Sequence, residues 1–124
     1  MSLDSRLATV VDAARSKKAF RIRLLDVKDI ASFTDVFAVM SGGSDRQNRA
    51  IAEAIEDALK LTGEKPISRE GEMNGNWVLL DYGNLVIHVM DEETRRHYNL
   101  EGLWSAGREL ELPVEAHPES EARP

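Results

Sequence analysis

Residues 77–90, WVLLDYGNLVIHVM, decide how this chain is read. Two short apolar runs flank Gly83-Asn84, whose backbones tolerate the positive φ of a tight turn, so the stretch predicts a β-hairpin. A two-residue turn sets Tyr82 opposite Leu85, Leu80 opposite Ile87 and Val78 opposite Val89. Strand side chains alternate between faces, so this set forms one apolar face that should pack inward. The other face carries Trp77, Leu79, Asp81, Val86, His88 and Met90. Moving the turn to Tyr82-Gly83 shifts the pairs but keeps the partition. A large aromatic, a carboxylate and an imidazole in one row make the mixed face the place to look for function, with at least part of it solvent-accessible.

Upstream of the hairpin, residues 65–70 predict a weaker strand, with Pro66 at its start where a missing N–H does least harm. Gly42-Gly43-Ser44-Asp45-Arg46-Gln47 opens a long helix that runs to about Leu61. Its predicted buried stripe is Ile51, Ala54, Ile55, Ala58 and Leu59, and Gly63 stands where a helix C-cap needs it. Residues 34–41 (TDVFAVMS) predict a buried strand, and a strand-helix-strand order implies a crossover with at least one parallel pair. Residues 3–18 show the apolar spacing of an amphipathic helix, and residues 21–27 (RIRLLDV) a strand. Downstream, Asp91 caps a short helix, DEETRRHYN, and residues 100–110 read as helical or irregular. The expected architecture is α/β (α+β), a mixed sheet of about five strands with flanking helices. Residues 1–112 are expected to form a single domain, and the Pro-rich residues 113–124 a disordered tail.

With 124 residues, the chain is long enough for one real core. It has 42% hydrophobic and 31% charged residues, the balance of a globular protein. It has no cysteine, which excludes disulfides and thiolate metal sites and suits a cytoplasmic location. The N-terminal stretch lacks the apolar core of a secretory signal, and no apolar run is long enough to span a membrane. The net charge of −6 argues against broad nucleic-acid contact, which draws most of its affinity from neutralised phosphates, and is compatible with a basic protein partner.

The Gly42-Gly43-Ser44 turn could cradle a phosphate, but Ser44 and Gln47 have capping-box spacing and no Lys-Ser or Lys-Thr follows. A Gly-Ser turn before a helix is also a nucleotidyltransferase feature, yet that chemistry needs two or three convergent carboxylates. Only Glu70, Glu72 and an isolated Asp81 are on offer. His88, His97 and His117 lack metal-ligand spacing, and no glycine-flanked nucleophile turn marks a hydrolase. No catalytic residue, metal or cofactor is expected.

The runs SGGSDRQNRAIAEAIED, EGEMNGNWVLLDYGNLVIHVM and EETRRHYNLEGLW resemble the ribosomal silencing factor (Iojap-like) family. Glu70-Gly71, Trp77, Asp81-Tyr82-Gly83, Val86, His88, Arg95, Tyr98, Leu100-Glu101 and Leu103-Trp104 fall where that family has its signature. The resemblance implies a nucleotidyltransferase-like fold without established transferase activity. It implies binding to the large ribosomal subunit through its fourteenth protein, blocking the small subunit and repressing translation when nutrients are short. The alternatives are a nucleotidyltransferase-like enzyme or a large-subunit assembly factor. Taken with the hairpin, the resemblance suggests a partner-binding set of Glu70, Trp77, Leu79, Asp81, His88, Arg95 and Tyr98 on a monomer or weak homodimer.

Overall fold

The computed structural model describes residues 3–99, 102 and 107–113. In order these form α1 (Leu3–Ser16), β1 (Phe20–Asp26), β2 (Val36–Ser41), α2 (Asp45–Lys60), β3 (Ser68–Glu70), β4 (Trp77–Asp81), β5 (Leu85–Met90), α3 (Glu92–Tyr98) and β6 (Arg108–Leu110). The strands make one mixed sheet in the order β3-β4-β5-β2-β1-β6. β2 and β5 run parallel at its centre, the pairing that the crossover through α2 requires. The other neighbours are antiparallel.

The expected mixed α+β class holds, with six strands rather than about five. The sixth comes from residues read as helical or irregular: Arg108–Leu110 pairs antiparallel with β1. Three residues are too few to show a period, and charge pairing rather than apolar alternation marks this strand. Arg108 meets Asp26 at 3.0 Å and Glu109 meets Arg23 at 2.8 Å. Leu100, Glu101, Leu103, Trp104 and His117 lie outside the described residues, as do residues 114–124 of the expected tail.

The hairpin has the expected register, Val78 opposite Val89 and Leu80 opposite Ile87. In the turn only Gly83 takes a positive φ, +86°, while Asn84 does not, which is the pattern of a II′-type turn. Val78, Leu80, Tyr82, Leu85, Ile87 and Val89 are buried against α1 and α2, where Leu7, Val10, Val11 and Ala14 meet Ile51, Ile55 and Leu59. The buried stripe of α2 is Asn48, Ile51, Ala52, Ile55 and Leu59, so Ala52 replaces the expected Ala54 and Ala58. Beyond α2, Glu64 N–H reaches Leu59 O and Gly63 N–H reaches Lys60 O, with Gly63 at φ +88°. That is a Schellman closure with the glycine in its expected place.

Candidate functional site

The opposite face of the sheet holds a second apolar cluster of Leu25, Val27, Ala31, Phe37, Val39, Val86 and Met90, with Trp77 and Leu79 packed against it and half-buried. β2 and β5 are buried along their whole lengths because they form the centre of the sheet, with an apolar cluster on each face. β4 lies one strand from the edge, beside the three-residue β3, so Trp77, Leu79 and Asp81 stay partly exposed. The expectation of a partly accessible face therefore holds for β4 and fails for His88 on β5, which is 4% exposed.

Aromatic rings run across this face. Phe33 lies 5.9 Å from Phe37, Phe37 meets His88 edge-on at 5.1 Å, and Trp77 lies 5.9 Å from His88 and 4.9 Å from Tyr98. Pairing of Trp77 with Met90 and of Leu79 with His88 makes Trp77 and His88 diagonal neighbours, within reach of long side chains. Trp77 Nε1 donates to His88 Nδ1 at 3.0 Å. Indole nitrogen can only donate, so Nδ1 carries no proton and the ring's hydrogen sits on Nε2. His88 Nε2 is buried and has no hydrogen-bond partner among the described residues. Burial pushes the imidazole down to about 4, so the ring is neutral at physiological pH.

α3 delivers Tyr98 to this face. Asp91 Oδ1 accepts from Thr94 N–H at 2.7 Å, the expected N-cap, and Asn99 closes the helix at φ +46°. Tyr98 is 53% exposed and packs against Trp77 with the ring planes tilted by 52°. Arg95 is 2% exposed, and its Nη1 donates to Ser41 Oγ at 2.9 Å. The site expected to use Arg95 at its surface instead has it inside, bonded to the end of β2. Glu92 takes Arg21 of β1, at 2.7 Å, rather than serving its own helix.

Glu70 is exposed on β3, paired with Leu79 and so on the same face. Asp81 Oδ1 accepts Gly83 N–H at 2.8 Å, which commits one carboxylate oxygen to the turn. The structure thus brings Trp77, His88 and Tyr98 into contact, places Leu79 and Glu70 beside them, and leaves Asp81 at the turn end and Arg95 beneath. Sequence reasoning missed Phe37, although its place two residues before Val39 on a buried strand puts it on this face. It also missed Phe33, 60% exposed in a loop that carries no period.

At the start of α2, Ser44 Oγ accepts Gln47 N–H at 3.0 Å and Gln47 Oε1 accepts Gly43 N–H at 2.7 Å. Two of the donors at this helix start are thereby spent on its own cap. Gln47 Nε2 also donates to Lys17 O at 3.1 Å, tying the end of α1 to this turn. Among the described residues no three His, Asp or Glu side chains converge as a metal site would require. No described helix is long and apolar enough to cross a membrane.

The family profile described as ribosomal silencing factor during starvation matches residues 1–124. The chain is 35% identical over 112 residues to ribosomal silencing factor RsfS of Halalkalibacterium halodurans, covering 90% of this chain and 96% of that one. It is 38% identical to the Bacillus subtilis protein of the same name, covering 84% and 88%. A mouse protein named mitochondrial assembly of ribosomal large subunit protein 1 is 32% identical over 77% of this chain and 43% of its own. The crystal structure of a Chromobacterium violaceum protein superposes with a TM-score of 0.82 at 32% identity, covering 94% of this chain and 96% of that one. With the hairpin, the capped helices and the signature residues of the aromatic face in place, this chain belongs to the ribosomal silencing factor family.

Proposed function

We propose that the protein binds the large ribosomal subunit through its fourteenth protein, with the aromatic face as the contact, and so keeps the small subunit from joining. The observation that carries the placement is the Trp77–Tyr98 pair, tilted ring against ring at 4.9 Å on the face away from α1 and α2, with Tyr98 exposed and Trp77 half-buried. Trp and Tyr are the residues most enriched at interface centres. Leu79 extends the apolar patch, and Glu70 and Asp81 place carboxylates on the same face for a basic partner. The net charge of −6 fits a protein partner better than direct rRNA contact, and the working form is a monomer or weak homodimer in the cytoplasm.

Sedimentation of ribosomal subunits with purified protein tests this reading. The protein is expected to travel with isolated large subunits and to lower the yield of joined ribosomes. Normal joining at saturating protein removes the silencing reading. The name of the mouse relative supports a second role, in large-subunit assembly, which would survive that result. Magnesium-dependent consumption of a nucleoside triphosphate, lost on replacing Asp81, would instead favour an enzyme.

A further inference from the structure

We infer that His88 is a positioning residue for partner docking: it touches no partner and acts by holding the Trp77 indole in its docking orientation. The inference rests on Trp77 being a docking anchor, as proposed above.

A buried imidazole is an expensive way to fill space on a sheet. One nitrogen, Nε2, has no partner among the described residues and is sealed from water, so its N–H is desolvated with nothing returned by them. The ring sits among Phe37, Val39 and Leu79, its neighbours across the sheet, where a leucine of similar volume would pack without that cost. Among the described residues, the one polar bond the ring makes is with Trp77, through Nδ1 at 3.0 Å. Trp77 is half-buried, and water could serve its indole N–H in place of His88. Stability therefore does not call for the histidine.

Its specific effect is on direction. Tyr98 packs on one side of the indole and the Trp77–His88 bond fixes the ring's rotation, so the exposed edge is set before a partner arrives. Ordering an anchor in advance lowers the entropy lost on binding. Phe37 stands edge-on to the imidazole at 85° and keeps the acceptor itself from turning.

The test compares His88→Leu, His88→Asn and Trp77→Ala for unfolding midpoint and for large-subunit binding. Leucine removes the acceptor and the orphan N–H together. Asparagine keeps an acceptor oxygen near the Nδ1 position but buries an amide. Stability is expected to rank leucine at or above wild type, with asparagine below. Binding is expected to rank the other way: leucine roughly two- to tenfold weaker, the size of one net hydrogen bond, and asparagine near wild type. The Trp77 indole N–H resonance, assigned with Trp77→Phe, should move in the leucine variant and return toward its native position in the asparagine variant. A merely structural histidine would make binding follow stability. Wild-type binding by His88→Leu beside a defective Trp77→Ala overturns the inference alone, as does a large stability loss in the leucine variant. Wild-type binding by Trp77→Ala removes the docking reading and the inference with it.

Discussion

The two faces of the central hairpin are built from alternate residues of the same strands, and they solve different problems. On the helix side, Val78, Leu80, Ile87 and Val89 are buried among aliphatic side chains of α1 and α2. The polar tip on that side is the Tyr82 hydroxyl, whose burial raises its pKa to about 12; the Arg6 guanidinium lies over its ring. On the aromatic side the same strands place a buried imidazole with an orphan N–H and a half-buried indole, and α3 adds an exposed tyrosine. Apolar area removed from water dominates the first face, although the Tyr82 hydroxyl, like His88 Nε2, is buried without a hydrogen-bond partner among the described residues. What sets the second apart is that it leaves Trp77 half-buried and Tyr98 exposed, the pattern expected where a surface is kept for a partner.

The largest expected effect tests the helix side. Leu80→Ala or Ile87→Ala removes a fully buried side chain from the closed face and should cost about 2–5 kcal/mol of stability in urea unfolding. A loss as small as that of a surface substitution would show the two faces to be less different than their packing implies.

Acid should probe the aromatic side. The folded pKa of His88 is pushed from 6.5 to about 4 by burial, so the unfolded chain takes up a proton that the folded protein refuses. The stability advantage of the neutral ring is complete above pH 6.5, declines as pH falls toward 4, and is gone below. Its size is about 3 kcal/mol, since each tenfold loss of proton affinity on folding is worth roughly 1.4 kcal/mol. Unfolding midpoints of wild type and His88→Leu, followed from pH 7 to pH 4, should diverge by about that much, with wild type losing more. Parallel curves would mean that His88 is not desolvated.

Trp77→Ala should come next, weakening large-subunit binding by about 2 kcal/mol with the fold intact, as for an interface anchor. The contrast with Leu80→Ala is the sharp form of the comparison: one change on β4 loses binding and its neighbour on the other face loses stability.

The partition of the hairpin was legible because a period of two is imposed by strand geometry whatever surrounds it. The burial of Val86, His88 and Met90 was not, because it depends on β2 lying alongside β5, a pairing made across more than 40 residues of chain. Arg95 misled for a related reason. On a seven-residue helix an arginine between polar neighbours reads as solvated, and its acceptor Ser41 is 54 positions away. The Trp77–His88 bond was closer to hand, since the predicted register already made the two residues diagonal neighbours. What it did not give was that one would be inside and the other at the surface.

The smallest expected effect concerns the rim that carries Tyr98. Arg21 sits at φ +51°, in a stretch of β1 where the register with β2 slips between Phe20 and Arg23. The left-handed backbone aims its guanidinium at Glu92, with 2.9 and 2.7 Å to the two carboxylate oxygens. The hydrogen bond from Arg21 holds the Glu92 carboxyl below the usual range. Both side chains are partly in solvent, 52% and 35% exposed, so the pair is worth about 0.2–1 kcal/mol and should weaken with salt. A left-handed non-glycine residue costs about 1 kcal/mol or more. Arg21→Ala loses the pair and keeps the strain, whereas Arg21→Gly loses the pair and relieves it. The glycine variant should therefore be the more stable of the two by about 1 kcal/mol, close to wild type, at equal salt. Because Glu92 opens the helix that brings Tyr98 against Trp77, both variants should cost large-subunit binding less than Trp77→Ala does. Equal stability of the alanine and glycine variants would show that the bulge is unstrained.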